Sequence, residues 1–202
     1  QQTGFTFVAQ MRSWLPDYVG GILWFGVDDA ASNVYVPVYC STDKVPLCFD
    51  EKNGSLLRYS PTSAFWTFNA VANFAYGKYS WLMKDIRKLQ SELENGFHQM
   101  TASIDTKATS LPEMEARKFL TNYSNDAAEK TTAEWKKLGE YLLVKYMDGN
   151  IKKEENGKFI QNDHAIPPSI IRAGYTPDFQ QKIAKENPGL RVKSAAELNN
   201  RK

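Results

Sequence analysis

Arg12 is the charged residue whose position in the sequence most suggests chemistry. It ends a strand-like run, Phe5 to Arg12, whose other residues are mostly apolar. A guanidinium group offers a fork of hydrogen-bond donors that suits a carboxylate or a developing oxyanion. The alternative is a structural ion pair, with Asp17 or Asp29 as the partner, and the sequence does not decide between the two.

The two cysteines are the next candidates for chemistry. Cys40 follows a predicted strand, but a thiol nucleophile needs a base beside it, and neither His98 nor His164 is predictably near. A buried structural cysteine is therefore the favoured interpretation of Cys40. Cys40 and Cys48 could form a disulfide across a short loop or remain two unlinked thiols, and both alternatives stay open.

Metal ligands and cofactor motifs are weakly represented. His98 and His164 are the only histidines, have no second ligand at a metal-site spacing, and are expected at the surface. Adjacent carboxylates at Asp28 and Asp29 suggest a calcium site or a general acid, whereas the favoured alternative is a solvated turn in which one Asp caps backbone amides. We therefore predict no metal and no cofactor.

The composition limits the class of partner. The chain has 202 residues, of which 42% are hydrophobic and 13% aromatic, so it can bury a sizeable core. Because 25 Lys and Arg balance 23 Asp and Glu, the concentrated basic surface of a nucleic-acid-binding protein is not expected. No apolar run is long enough to span a membrane. The chain starts at Gln1 and soon enters a strand, so we expect that a segment upstream has been removed.

Three aromatic and β-branched segments near the start predict strands at Phe5 to Arg12, Gly21 to Val27 and Val34 to Tyr39. Their connections are short enough for antiparallel neighbours, so a three-stranded meander is expected. The run Ile22 to Phe25 is apolar on both faces, which predicts that the sheet is covered on both sides.

Two long helices are predicted after these strands. The first is expected to start at Ser60-Pro61 and to break either near Asn95-Gly96 or in the polar stretch that leads to Leu111-Pro112. The second is expected to open with the capping-box spacing of Ser110 and Glu113 and to end at Asp148-Gly149-Asn150.

The connecting segments carry turn signals. We expect an irregular excursion from Lys44 to Tyr59 with a small hairpin at Asn53-Gly54, and a second hairpin at Asn156-Gly157. The proline-containing tail predicts a division into a sheet-and-helix portion, 1–163, and a wrapping extension, 164–202. One short helix is expected in the extension, near Asp178 to Glu186.

Several motifs, taken together and in order, carry a resemblance. They are listed here in the order of the chain: Ala9-Gln10-Met11-Arg12-Ser13-Trp14-Leu15-Pro16, Gly20-Gly21-Ile22-Leu23-Trp24-Phe25-Gly26-Val27-Asp28-Asp29-Ala30, Val36-Pro37-Val38-Tyr39, Ser63-Ala64-Phe65-Trp66, Asn69 with Val71-Ala72-Asn73, and Trp135-Lys136-Lys137-Leu138-Gly139-Glu140-Tyr141-Leu142. This pattern resembles the carboxy-terminal part of secreted, bacterial-type cysteine dipeptidases of the N-terminal-nucleophile hydrolase superfamily.

The resemblance implies an α+β fold, half of a layered αββα arrangement in which two antiparallel sheets lie between helices. It implies hydrolysis of dipeptides by a cysteine at the mature amino terminus, with its own α-amine as the base. Gln1 stands where that cysteine would be, so this chain is expected to contain no catalytic residue and the nucleophile is expected upstream. Arg12 lies in the most strongly shared motif and is nominated for substrate or oxyanion contact.

The implied partners are a dipeptide substrate and the amino-terminal portion of the same protein, with self-association of an isolated chain, and the implied location is secreted or periplasmic. Two rival hypotheses remain. The first is a non-catalytic binding or scaffold module that keeps the hydrolase fold, and the second is a thiol enzyme centred on Cys40.

Overall fold

The chain forms two compact units, Gln1–Met147 and Asp148–Lys202, in a computed structural model that describes residues 3–164 and 168–186. The fold is α+β with antiparallel strands and long helices, which confirms the predicted class at that level. The division at residue 163 stays a prediction. Gln1, Pro167, Pro188 and the end of the predicted extension lie outside the described residues.

The first unit begins with the predicted meander. Its strands are β1 (Phe5–Met11), β2 (Gly21–Val27) and β3 (Val36–Tyr39), paired antiparallel in the order β1-β2-β3. Phe7 lies opposite Phe25, and Trp24 lies opposite Pro37. The middle strand has the predicted bounds, and the outer two are slightly shorter than predicted. The sequence pattern therefore predicted the three strands and their antiparallel order correctly.

One face of the sheet packs on helices. Ile22, Trp24 and Tyr39 alternate onto this face and join a buried cluster. The cluster also contains Val19, Ala108, Ala116 and Leu120. Its last three members come from the two long helices, so this face forms the main contact between sheet and helices.

The opposite face, which we call the open face, carries Phe5, Phe7, Met11, Leu23 and Phe25. Phe7 is 56% exposed and Met11 is 74% exposed, while Leu23 and Phe25 are half-buried. The expectation that both sides of the sheet would be covered is therefore wrong for the described chain. Side chains alternate across a strand, so an apolar strand shows that two apolar faces exist but does not supply the second covering layer.

Four helices accompany the sheet in the described part of the first unit: α1 (Asp17–Gly20), α2 (Ala64–Tyr76), α3 (Tyr79–Thr109) and α4 (Glu113–Tyr146). The predicted start at Ser60-Pro61 is wrong, because the Ser60 hydroxyl donates to the side-chain oxygen of Asn53 and belongs to the preceding loop. The chain instead turns between α2 and α3 at Gly77 and Lys78.

Of the two predicted positions for the break between the long helices, Asn95-Gly96 is wrong, because α3 continues through it. The stretch that leads to Leu111-Pro112 is confirmed, because α3 ends at Thr109 and α4 begins at Glu113.

Glycine in a helix costs about 1 kcal/mol, but tertiary contacts hold the turn of α3 that immediately precedes Asn95-Gly96. The Gln90 amide donates to the Asn33 carbonyl, and the Glu94 carboxylate accepts from the Tyr35 backbone N–H. These contacts over long sequence separations were not visible in the local pattern.

The second long helix ends as predicted but starts differently. Ser110 does not form a capping box with Glu113, since its hydroxyl donates back to the Lys107 carbonyl, and Pro112 precedes the first helical residue. At the other end, Asp148 and Gly149 have positive φ values of 65° and 74° and terminate the helical run.

The loop from Lys44 to Tyr59 contains a short 3-10 turn at Leu47–Phe49. The hairpin expected at Asn53-Gly54 lies two residues later, where Ser55 and Arg58 form an antiparallel bridge. Gly54 has φ 103°, a value that favours glycine, but it leads into the turn and does not form its tip.

The second unit contains short elements. They are β4 (Asn150–Lys152), β5 (Glu154–Glu155), β6 (Lys158–Phe159), β7 (Ile170–Arg172) and α5 (Pro177–Glu186). Strands β5 and β6 form the predicted hairpin, with positive φ at Asn156 and Gly157. The predicted short helix is confirmed as α5. Within the described residues, no helix combines the length and apolar character needed to cross a bilayer.

Two glycines provide a matched test of packing. A Cβ at Gly26 would overlap Nδ2 of the buried Asn33, so Gly26→Ala is expected to destabilise the fold by about 1–3 kcal/mol through overpacking. A Cβ at Gly96 would meet nothing within 4 Å, so Gly96→Ala is expected to stabilise α3 by about 0.5–1 kcal/mol. Urea unfolding measures both changes, and equal effects of the two variants would contradict the packing at Gly26.

Candidate functional site

Arg12 is held by a turn of backbone that follows β1. The chain folds back through α1, which brings two backbone carbonyls to the Arg12 side chain. The Arg12 Nε donates to the Gly20 carbonyl over 3.3 Å, and the Arg12 Nη2 donates to the Val19 carbonyl over 2.7 Å. The Arg12 backbone N–H also donates to the Gly20 carbonyl. A Cβ on Gly20 would lie 2.9 Å from the Arg12 carbonyl oxygen, so glycine permits this close approach.

The charge of Arg12 is balanced by Asp105 on α3, through a hydrogen-bonded ion pair between its Nη1 and the Asp105 carboxylate. Both side chains are buried. The structural-pair alternative named Asp17 or Asp29, and neither is the partner that the structure shows. In the sequence, Asp105 lies between Ile104 and Ala108, which both pack in the apolar core. An acidic residue on the apolar side of a helix was the sequence signal that could have identified Asp105 as the partner of Arg12.

Tyr39 at the end of β3 completes the site. Its hydroxyl donates to the second Asp105 oxygen over 2.7 Å, and its ring lies 5.9 Å below the Arg12 guanidinium carbon. Burial raises the pKa of the Tyr39 phenol, and the hydrogen bond to the Asp105 carboxylate raises that pKa further. Tyr39 therefore remains a protonated donor under ordinary conditions, and the Asp105 carboxylate is satisfied from two directions.

An open cleft of about 600 Å³ lies beside this network. Arg12 and Asp105 line it, with the exposed Trp14 and Thr106 among the other lining residues. A guanidinium group carries five N–H donors, and three of the Arg12 nitrogens already have protein acceptors. The geometry thus combines a fixed cation, a compensating carboxylate and an adjoining space that can admit a small molecule.

The predicted solvated turn at Asp28 and Asp29 is correct for only one of the two residues. Asp29 caps the turn, because its carboxylate accepts from the Ala31 backbone N–H and the Ser32 hydroxyl. Asp28 is buried, has φ 67°, and accepts from the Asn69 side-chain amide over 3.0 Å. The solvated interpretation is therefore wrong for Asp28, whose carboxylate links the end of β2 to α2.

The cysteines are two free thiols with different surroundings. The favoured buried structural role is wrong for Cys40, which is exposed at the end of β3. Cys48 is the buried one, and burial raises its thiol pKa to about 12. The Cys48 backbone N–H donates to the Glu129 carboxylate.

Within the part of the chain that the structure describes, neither histidine belongs to a group of potential metal ligands. Both are exposed, as predicted, and the His98 ring lies 4.7 Å from the Trp24 ring. Across residues 3–164 and 168–186, no group of three or more His, Cys, Asp or Glu side chains is arranged to hold a metal ion.

A comparison with known protein families finds a match for the first part of the chain. Residues 1–92 match the family model described as Peptidase family C69. The matched part contains the whole β1-β2-β3 sheet, α2 and the start of α3, and the match supports a peptidase of the cysteine class. No curated protein matches the chain.

The buried pair can be tested by a double-mutant cycle. Asp105→Leu or Arg12→Met alone leaves an uncompensated buried charge and is expected to destabilise the fold by about 3–5 kcal/mol. The double variant is expected to lose less than either single variant, because no buried charge remains. Chemical unfolding of the four proteins gives the coupling, and additive losses would mean that the two residues act independently.

Thiol labelling tests the cysteine environments. In the native protein, the exposed Cys40 is expected to react readily with a disulfide reagent, whereas Cys48 reacts only when the fold opens, because it is buried and its pKa of about 12 leaves little thiolate. Cys40→Ser and Cys48→Ser assign the two reactions. Rapid native labelling of the Cys40→Ser protein would contradict the burial of Cys48.

Proposed function

We propose that this chain is the carboxy-terminal portion of a secreted or periplasmic dipeptidase whose nucleophile, an amino-terminal cysteine, lies upstream of Gln1. The observation that carries the proposal is the incomplete cover of the sheet within the residues that match a peptidase family. The open face exposes Phe5, Phe7 and Met11, and β1 is an edge strand with hydrogen-bonding groups on its outer side.

The chemistry of β1 supports a protein partner on this side. From Thr3 to Met11 there is no charged residue and no proline, whereas edge strands that face water usually carry such residues to prevent pairing. Large exposed apolar patches mark interaction surfaces. In an N-terminal-nucleophile hydrolase, a second sheet would pack on the open face, and the amino-terminal portion of the same protein is our proposed source of that sheet.

The proposed reaction is hydrolysis of a dipeptide. The cysteine thiolate attacks the peptide carbonyl carbon and its α-amine accepts and returns the proton, so that the amine product leaves and an acyl-enzyme forms. Water then attacks the acyl carbon, the carbon–sulfur bond breaks, and the carboxylic acid product leaves as the thiol is regenerated. No residue of this chain is proposed as nucleophile or base.

Arg12 is the residue of this chain that we propose for contact with the substrate or the oxyanion. Its support is geometric, since Asp105 and the Val19 carbonyl fix the guanidinium beside an open cleft. A fixed donor is effective because it needs no rearrangement as charge develops on the carbonyl oxygen.

The test begins with the coding DNA upstream of Gln1. A signal peptide followed by a cysteine at the mature terminus is expected, and the full protein should then release both amino acids from a dipeptide such as Ala-Ala. A start codon immediately before Gln1, with no dipeptide hydrolysis by the purified protein, would instead favour a non-catalytic module that keeps the fold.

The role of Arg12 is tested in the full protein. Arg12→Lys keeps the charge but loses the fork of donors, and it is expected to lower kcat/KM for the dipeptide by about 10²-fold, the scale for removing one oxyanion donor. Arg117→Lys is the matched control, because Arg117 forms an exposed i,i+4 pair with Glu113, and it should leave kcat/KM unchanged. Wild-type activity in a folded Arg12→Lys protein would remove Arg12 from the site.

A further inference from the structure

A second apolar surface lies on the loop between the sheet and α2, where Leu56 lines a cavity together with Phe5 and Phe25 of the open face. Leu56 and Leu57 form the tip of the turn closed by Ser55 and Arg58, and they are 77% and 99% exposed. We call this segment the leucine turn. Burial of a leucine side chain is favourable because it removes apolar surface from water, so two adjacent exposed leucines can contribute to binding.

The leucine turn is fixed in place. Ser55 and Arg58 exchange two backbone hydrogen bonds of 2.9 and 3.1 Å. The indole N–H of Trp66 on α2 donates to the carbonyls of both residues, over 3.2 and 3.1 Å. Both ends of the turn are therefore tied to one helix, and a surface that is already ordered loses little conformational entropy when it binds.

An apolar cleft adjoins the base of the leucine turn. It has a volume of about 260 Å³ and lies between α2 and α4, with Tyr59, Trp66, Phe74 and Leu143 among its lining residues. Trp66 belongs to both features, and Tyr59 is two residues beyond Leu57. The tip and the cleft are thus neighbours on one side of the first unit, while Leu57 itself does not fold into the cleft, as its exposure shows.

We propose that the cleft is occupied by the leucine turn of a second copy of this chain. A tip and a cleft that adjoin on one surface are self-complementary about a two-fold axis, so a single symmetric contact inserts both tips at once. Such an interface also covers Tyr59 and Leu143, which are exposed apolar residues beside the contact.

The charges around the two features favour this occupant. Arg58 closes the leucine turn, and exposed Lys136 and Glu140 line the cleft, so Arg58 of one copy can meet Glu140 of the other at the polar rim. The segment before the turn carries Glu51 and Lys52, of opposite sign. A lipid surface would instead select a uniformly basic flank. This proposal is independent of the proposed function, because neither Leu57 nor the lining of the cleft between α2 and α4 includes a residue of the open face.

Sedimentation velocity tests the proposal on the full 202-residue chain. Phe7→Asp serves as the background, since a charge on β1 removes association through the open face. In that background, self-association in the range of about 1–100 μM is expected, and adding Leu57→Asp is expected to weaken it by at least about tenfold. Met114→Asp is the matched control, because Met114 is 84% exposed in the first turn of α4, and it should leave association unchanged.

A photo-crosslinker at position 57 identifies the surface that is contacted. Cross-links between copies that map to α2 or α4 support the proposal. A monomer at every concentration, an unchanged association constant in the Leu57→Asp protein, or cross-links that map to β1 would each overturn it. Binding to anionic vesicles that needs Leu57, without self-association, would overturn it in favour of a membrane contact.

Discussion

The buried ion pair between Arg12 and Asp105 is the interaction on which the first unit depends. It joins the end of β1 to α3 across 93 positions of sequence, and Tyr39 brings the end of β3 to the same carboxylate. A buried charge without its partner is strongly unfavourable, so the sheet and the long helix must assemble in this register. The same requirement holds the guanidinium beside an open cleft, where a fixed donor could serve catalysis.

A second constraint comes from the open face of the sheet, which the described chain covers incompletely. One face of β2 packs on α3 and α4 through Ile22 and Trp24, while the other face leaves Leu23 and Phe25 half-buried. Hydrophobic burial is the main favourable term in folding, and this chain satisfies it fully on one side of the sheet and only in part on the other, where Val36 is buried but Phe7 is exposed. The incomplete side lies within the part that matches a peptidase family, and this coincidence is why we interpret the chain as one portion of a larger hydrolase.

The two apolar surfaces of the first unit differ in their construction. The open face is a strand surface with an unpaired edge, which suits another strand or sheet. The leucine turn is a short tip fixed by Trp66 next to a cleft, which suits a compact, symmetric contact. The two surfaces adjoin at a cavity that Leu56 lines with Phe5 and Phe25, so the proposed substitutions are placed at Phe7 and Leu57, which lie outside that cavity.

The sequence by itself determined the elements that depend on local pattern. Segments rich in aromatic and β-branched residues, joined by short connections, specified the meander from Phe5 to Tyr39. Asn156-Gly157 specified a hairpin because both residues accept positive φ. The resemblance in the segment around Arg12 indicated the peptidase class. Each of these signals comes from residues that are near one another in the chain.

The tertiary structure alone decided which distant groups meet. Asp105, and not Asp17 or Asp29, pairs with Arg12, and Asp28 is buried against Asn69 instead of facing solvent. The continuity of α3 through Gly96 likewise depends on side-chain contacts from Gln90 and Glu94 to the loop before β3. Helix propensities differ by about 1 kcal/mol or less between most residues, so contacts between distant segments can outweigh a local preference. Such contacts exist only once the sheet and helices have packed.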